Sequence, residues 1–259
     1  MSCPAADGEA GPSPMVFNVG SRRSGTYWLQ RIVCAHPQVA EVPSETHLFS
    51  HGIAPLLERF QYEDPAAPDV GLVYADRAEV TRHLRALCDS VFEPFRRGRA
   101  SVAERTPLHV NHMPLIAEVY PEARFVHIIR DGRDVARSIV RQEWGPNTIE
   151  DAAAEWRDAV SNGRAAGQSL LGPARYREVR YEALLADPES EIVGIYGFLG
   201  LDPREGIESG LVEARRHANV GPSKRGGVGA GKWQEEWGPE QVREFDSVAG
   251  SLLRELGYM

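Results

Sequence analysis

The sequence predicts an α/β fold: a single domain with a central parallel sheet flanked by helices and a P-loop-like phosphate-binding loop behind the first strand. Three observations lead there. Short apolar runs alternate with longer stretches whose apolar residues recur at helical spacing, the pattern of a parallel sheet covered on both faces. The first apolar run is followed at once by a glycine-bounded basic loop, Gly20-Ser-Arg-Arg-Ser-Gly25. No internal repeat or linker divides the 259 residues, a length that suits one large domain.

Met1 to Pro14 is small, polar and Pro/Gly-rich with no basic leader, so 1–14 is expected to be a disordered tail and 15–259 the domain. Met15–Val19, bounded by Pro14 and Gly20, reads as a buried strand. Trp28, Leu29, Ile32 and Val33 then recur at helical spacing, with Pro37 as the stop. Residues 52–62 and 76–95 read as helices and Ala100–Glu104 as a strand. Asn111 is expected to cap a helix ending near Tyr120. Arg124–Ile129 is a strand that delivers Arg130 to its C-terminal end, and Asp131–Gln142 continues as a helix. A long helix is expected over 148–170, a strand over Tyr176–Arg180, and helical stretches from Tyr181, over 189–200 and over 239–256. Gly221–Gly231 reads as a loop rich in glycine and basic residues.

The composition narrows the function. A net charge of −8 argues against general nucleic-acid binding and against a highly anionic polymer as substrate. The chain has no apolar run of the roughly eighteen residues that span a bilayer, so no membrane partner is expected. Cys3, Cys34 and Cys88 are odd in number, scattered and without metal-ligand spacing, which fits a reducing cytoplasm and no metal site. Basic residues nevertheless bunch at Arg22–Arg23, Arg130–Arg141, and Lys224–Arg225 with Lys232, as a focused anion site on an acidic protein requires.

Gly20-x4-Gly25 has the glycine spacing of a nucleotide-binding loop, and its backbone N–H groups can face an anion at a helix N-terminus. Thr26 stands where an NTP-binding loop places its lysine, which weakens the rival reading of a P-loop small-molecule kinase using ATP–Mg. Arg23 would supply the cation instead. An arginine ending a strand, as Arg130 does, faces the ligand crevice of an open sheet and suits bidentate contact with phosphate. Ser138 lies two turns further on. The plainer alternative is that Arg130 only pairs with a carboxylate such as Asp134.

These segments resemble the PAPS-dependent sulfotransferase family, in its branch of bacterial small-molecule and heparan-sulfotransferase-like enzymes. Arg23-Ser-Gly-Thr-Tyr-Trp28 is similar to the family's 5′-phosphosulfate loop, with Tyr27 where a second threonine is common. Phe125 to Ser138 resembles the 3′-phosphate segment, Val179-Arg-Tyr181-Glu-Ala-Leu the R-Y-E-D-L segment, and Lys224-Arg225-Gly226 with Gly231-Lys-Trp233 the C-terminal basic loop. The resemblance implies sulfuryl transfer from 3′-phosphoadenylyl sulfate (PAPS), leaving 3′-phosphoadenosine 5′-phosphate (PAP), with no metal. It implies cofactor contacts from Arg22, Arg23, Ser24, Gly25, Thr26, Tyr27, Arg130, Ser138, Lys224, Arg225 and Gly226, with Trp28 and Tyr181 near the adenine.

The same resemblance bears on the base. In Glu104-Arg-Thr-Pro107, proline occupies the place of the histidine that phenol and steroid sulfotransferases use. Pro43-Ser-Glu45-Thr-His47-Leu-Phe49 instead matches K-E-x-H-F, with Ser44 for lysine. Glu45 is therefore expected to be the general base, His47 to orient it or bind the acceptor, Arg23 to stabilise charge and Arg105 to act as a secondary cation. His109 and His112 are the reserve bases. A protein that binds PAPS without turnover is a further alternative. Leu48, Phe49, Ile53, Leu56, Leu57, Phe60 and Tyr62 suggest an apolar acceptor pocket for a small alcohol or phenol, although a core-facing helix shows the same pattern. An Ala/Arg/Gly-rich composition suggests a bacterial source and a role in secondary metabolism. Oligomeric state is not readable from the sequence.

Overall fold

The computed structural model describes residues 14–60, 77–219 and 229–259. In chain order the elements are β1 (Val16–Val19), α1 (Thr26–Val33), β2 (Val39–Glu41), a π-helical turn (Leu48–Ile53), α2 (Ala54–Phe60), α3 (Arg77–Arg96), β3 (Ser101–Glu104), a 3-10 segment (Pro107–His112), α4 (Met113–Val119) and β4 (Arg124–Ile129). There follow α5 (Gly132–Ile139), α6 (Ile149–Ala166), a second π turn (Gly167–Leu171), β5 (Tyr176–Arg180), α7 (Tyr181–Ala186), α8 (Pro188–Phe198), α9 (Pro203–Asn219), α10 (Trp233–Glu236) and α11 (Pro239–Glu255). The strands form one parallel sheet in the order β2-β3-β1-β4-β5.

The strands are short apolar runs because both faces of the sheet are covered. Alternate residues go to opposite sides. On one face Phe17 and Phe125 meet Phe49, Phe92 and Tyr120. On the other, Val16, Val126 and Ile128 pack with Trp28, Leu29 and Ile32 of α1 and Ile192 and Ile195 of α8. A third cluster joins α5, α6 and α11 around Trp156 and Phe245. The polar exception in β1 is paired through its amide nitrogen: Asn18 donates to Gln30 Oε1 (2.6 Å), and Gln30 donates to the Ala103 carbonyl (2.9 Å).

The single-domain parallel α/β architecture agrees with the sequence reading, while several boundaries move. Asn111 is not a cap. It lies within the 3-10 segment, whose first turn closes from His109 N–H to the Thr106 carbonyl, and α4 starts at Met113 with Pro114 in its first turn. The helix expected over 148–170 ends as α-helix at Ala166 and widens where Gly167 presses on the Tyr176 ring, 2.4 Å from the place of a Cβ. The helix from Asp131 begins at Gly132, since the Asp131 carboxylate accepts from Arg133 N–H as its cap (2.9 Å). It stops at Ile139, short of Gln142.

Two elements had no sequence signal. β2 is three residues long. α9 is interrupted by Gly206 and Gly210, which lower helix propensity but let it sit close to its neighbours: a Cβ there would fall 2.6 Å from His36 and 2.9 Å from the Tyr196 hydroxyl. The expected tail (1–13), the end of the 52–62 helix and most of Gly221–Gly231 lie outside the described residues. Among the described residues no helix is long and apolar enough to cross a membrane.

His127 of β4 is fully buried against Tyr176, whose hydroxyl lies 2.8 Å from Nδ1, with Glu178, Arg164 and Arg180 as the nearest charges. Burial pushes its imidazole down to about 4. The unfolded chain therefore takes up this proton near pH 6.5 and the folded chain only near pH 4. Stability from this residue is present above that window and is lost as pH falls through it. Urea unfolding at steps from pH 7 to pH 4.5 is expected to show a slope shallower by about one proton in His127→Gln than in the wild type.

Candidate active site

β1 and β4 are paired in register from Val16–Arg124 to Val19–His127, so the chain leaves both strands at the same edge of the sheet. From β1 it enters the Gly20–Gly25 loop, which is pressed onto its surroundings. A Cβ at Gly20 would lie 2.6 Å from the Ile128 carbonyl, and one at Gly25 would lie 2.9 Å from the Tyr181 ring. Gly25 has φ 107° and forms the entry to α1, and Ser24 folds back to the Ser21 carbonyl through its N–H (3.1 Å) and hydroxyl (2.6 Å). Arg23 holds a left-handed φ of 69°. For a non-glycine residue this costs on the order of 1 kcal/mol and persists only where the surroundings fix it. The result aims the guanidinium across the crevice, where Nε donates to Ser138 Oγ (2.9 Å).

From β4 the chain delivers Arg130, which is 7 % exposed. Its guanidinium lies 4.3 Å from the centre of the Tyr181 ring, donates to the Gly229 carbonyl (2.8 Å) and approaches Asp134 at 3.4 Å. Its Nε is buried with no hydrogen-bond partner among the described residues. Asp134 does more than neutralise Arg130: its fully buried carboxylate accepts from Gly231 N–H (2.7 Å) and Trp233 N–H (3.0 Å), fastening the stretch before α10 to α5. Arg133 stacks on Trp233 at 4.0 Å, and Glu236 pairs with Arg137 and Arg141. Burial, and then the charge of Arg130, hold the Arg23 guanidinium below the usual arginine range. Two guanidiniums in one field, one with an unsatisfied Nε, fit an anion with several oxygens.

The second half of the crevice lies past β2 and β3. Arg105, one residue beyond β3, donates to Glu45 Oε1 (2.6 Å), and His47 Nε2 stands 3.4 Å from Glu45 Oε2. His47 has a left-handed φ of 51°, and its ring stacks on His51 (4.8 Å between centres, 6° between planes). The Arg105 guanidinium lies 5.3 Å from the centre of the Tyr27 ring, in the first turn of α1, which joins this half to the phosphate loop. Glu45 is about one-third exposed, open enough to meet a substrate.

The structure thus brings together Arg23, Ser24, Gly25, Arg130, Ser138 and Tyr181 on one side, and Glu45, His47, Arg105 and Tyr27 on the other. Thr26 is buried in the first turn of α1. Arg22 turns aside, held bidentately by Glu155 and lying 4.5 Å from Trp144. Trp28 is buried in the core edge-on to Tyr181 (5.2 Å). Of the reserve bases, His109 is sealed in the core beside Phe17 and Phe49 and bound to Glu104 (3.0 Å), and His112 ends the 3-10 segment. Lys224, Arg225 and Gly226 lie outside the described residues. Two residues that the sequence gave no reason to place in the site are Glu104, described below, and Glu182. Glu182 accepts from Asp131 N–H (3.0 Å) and the Tyr258 hydroxyl (2.8 Å), bracing the backbone beside Arg130.

A glycine-bounded loop that carries Arg23, the buried Arg130 and a carboxylate gripped by Arg105 all lie at the carboxyl ends of the parallel strands, and comparison with known proteins gives the chain its family. The Sulfotransferase family model matches residues 14–205, and the chain belongs to that family. It is 29 % identical over 128 residues to omega-hydroxy-beta-dihydromenaquinone-9 sulfotransferase Stf3 of Mycobacterium bovis, covering 45 % of this chain and 33 % of that protein. Nodulation protein NoeE of Sinorhizobium fredii is 25 % identical over 96 % of this chain and 67 % of its own length. The chain thus spans about a third of the first relative and two thirds of the second. Among solved structures, the sulfotransferase domain of the Synechococcus PCC 7002 olefin synthase shares the fold (TM-score 0.58, 22 % identity, 92 % of this chain and 95 % of that one). So does mouse sulfotransferase SULT7A1 complexed with PAP (TM-score 0.57, 16 % identity, 95 % and 89 %).

Removing Asp134 leaves Arg130 without its carboxylate and two backbone N–H groups without an acceptor. Asp134→Ala is expected to cost about 3 kcal/mol, measured as a lower urea midpoint at unchanged m-value.

Proposed function

We propose that this protein is a PAPS-dependent O-sulfotransferase that moves the sulfuryl group to a hydroxyl of a small alcohol or phenol. The observation that carries the reading is the closeness of Arg23 and Arg130, from loops that follow two neighbouring strands, with Ser138 bonded to Arg23. The donor set fits the co-substrate. Arg130 and Ser138 suit the 3′-phosphate, the Arg23–Thr26 stretch the 5′-phosphosulfate, and the Tyr181 ring beside Arg130 the adenosine. Lys224, Arg225 and Gly226 are assigned to the 3′-phosphate by resemblance alone.

Bound there, PAPS supplies the sulfuryl group, and PAP is what remains. The protein's own work is positioning, charge stabilisation and proton removal. In-line transfer asks for an acceptor oxygen on the side of sulfur away from the leaving phosphate, and Glu45 is the carboxylate we assign to take its proton. Arg105 holds Glu45 Oε1, which leaves Oε2, beside His47, to receive that proton. Arg23 is assigned to the charge that gathers on the leaving oxygens. The residues named need no metal for these roles. The His47–His51 stack and the partly buried Leu48 favour an uncharged acceptor, whereas Phe49 is a core residue. A reducing cytoplasmic setting suits the free thiols Cys34 and Cys88, the second pushed up to about 12 by burial. The composition favours bacterial secondary metabolism.

Calorimetric titration with PAP tests the reading. The wild type is expected to bind at micromolar Kd or tighter, and Arg130→Ala to bind about 100-fold more weakly. Binding of ATP–Mg in place of PAP would overturn the assignment in favour of a kinase. Glu45→Gln is expected to keep PAP affinity while kcat for a phenolic acceptor falls by roughly 100-fold or more. PAP binding without turnover of any acceptor by the wild type would leave only a binding protein.

A further inference from the structure

Glu45 and His47 lie on a stretch, 42–47, that belongs to no helix or strand, yet the chemistry proposed for them requires a fixed geometry. The hydrogen bonds that hold this stretch come from the far end of β3. Thr46 N–H donates to Thr106 Oγ1 (3.1 Å) and, more weakly, to Glu104 Oε1 (3.3 Å). The Thr46 hydroxyl donates to Glu104 Oε1 (2.9 Å), and His47 N–H donates to Thr106 Oγ1 (3.3 Å). Behind them, the Thr106 hydroxyl donates to Glu104 Oε1 (2.5 Å), and His109 Nδ1 reaches Glu104 Oε2 (3.0 Å). Glu104, Thr106 and His109 are all fully buried.

The direction of this network matters. An ionised carboxylate only accepts hydrogen bonds. Beside it the Thr106 proton must point at Glu104, which turns both lone pairs of Oγ1 toward the loop and leaves them free for the N–H groups of Thr46 and His47. Although burial opposes its ionisation, the His109 charge and the hydrogen bonds from His109, Thr106 and Thr46 hold the Glu104 carboxyl below the usual range. Arg105, between Glu104 and Thr106 in an extended stretch, faces the other way and grips the Glu45 carboxylate. One strand end therefore grips the loop twice, by its backbone and by its side chain. The left-handed turn at His47 is held by these bonds rather than by its own conformational preference.

We propose that Glu104 and Thr106 are positioning residues for the catalytic loop: the buried carboxylate sets the polarity of the Thr106 hydroxyl, which fixes the backbone of Thr46 and His47 and so aims Glu45 and His47 into the crevice. The proposal rests on the reading of Glu45 as the base. Their hydrogen bonds among the described residues run to Thr46, His47, His109 and each other, so turnover is expected to depend on them and PAP binding is not.

The test compares Thr106→Val, which keeps the shape and removes the hydroxyl, with Thr106→Ser, which restores it. Thr106→Val is expected to lose roughly 10- to 100-fold in kcat with KM for the acceptor changed far less and PAP Kd within about twofold of wild type. Thr106→Ser is expected to recover most of kcat. A Thr106→Val protein with wild-type kcat, one whose PAP affinity falls in step with kcat, or a Thr106→Ser protein as slow as Thr106→Val would each overturn the proposal. Should Thr106→Val not fold, Thr46→Val removes one bond to Glu104 at a half-buried site. It is expected to lower kcat by about 3- to 10-fold at unchanged PAP Kd, and wild-type kcat there would overturn the proposal equally. Glu45→Gln separates the two readings. If it stays active, the base assignment falls and takes the positioning role with it; if it is inactive while Thr106→Val is fully active, only the positioning role falls.

Discussion

The parallel pairing of β1 with β4 is the constraint on which the rest of the structure depends. It sets Val19 beside His127, so the loop after one strand and the arginine after the other leave the sheet together. Adjacent strands whose chains depart toward different partners leave a crevice at their carboxyl ends, where open α/β sheets bind ligands. Here β1 leads toward β2 at one edge and β4 toward β5 at the other. A slip of one residue would turn Phe17 out of its aromatic cluster, bring Asn18 into it and carry the Gly20–Gly25 loop out of step with Arg130. The placement of Phe17 and Asn18 on opposite faces, which fixes the register, is thus also what aligns the Gly20–Gly25 loop with Arg130.

A chain of net charge −8 gathers positive potential by pairing the flanking arginines with carboxylates. Arg22 has Glu155, Arg133 has Asp131, and Arg137 and Arg141 share Glu236. Burial, and then the charge of Arg130, lower the proton affinity of Arg23, and Asp134 divides its oxygens between Arg130 and two backbone N–H groups. Holding two cations close together costs energy that an anion between them would offset. The acidic surroundings confine that potential to the crevice.

Much of this was legible in the sequence, and the gaps have physical reasons. Strands β1 and β4 are largely apolar runs, and Arg130 stands at the end of the second, so its place in the crevice follows from the fold class. Glu45, His47 and Arg105 were found through their motifs, which record residue types at fixed spacing. Motif membership does not say where a side chain points: Arg22 belongs to the loop but is turned toward α6, and Trp28 lies in the core. Glu104 looked like the last residue of a strand because its partner Thr46 is 58 positions away. Asp134 could be read as a counterion for Arg130, but its bonds to Gly231 and Trp233 span 97 and 99 positions and no local pattern announces them. Helix α9 was hidden by the glycines that allow its close packing.

The two halves of the candidate site are carried by different parts of the sheet, the half with Arg23 and Arg130 by β1, β4 and β5 and the half with Glu45 and Arg105 by β2 and β3. Such a division separates affinity for the co-substrate from turnover, provided something holds the halves in register. The contact that spans them is Arg105 over the Tyr27 ring. Tyr27 departs from the threonine common at this place in related loops, and more than half of its surface is exposed. A threonine has no π face to offer a guanidinium, whereas a tyrosine in the first turn of α1 gives Arg105 a second attachment besides Glu45. The departure from the motif therefore has a structural use: it ties the cation that holds Glu45 to the helix that follows the Gly20–Gly25 loop, a second tether beside the hydrogen bonds that hold the irregular stretch carrying the carboxylate.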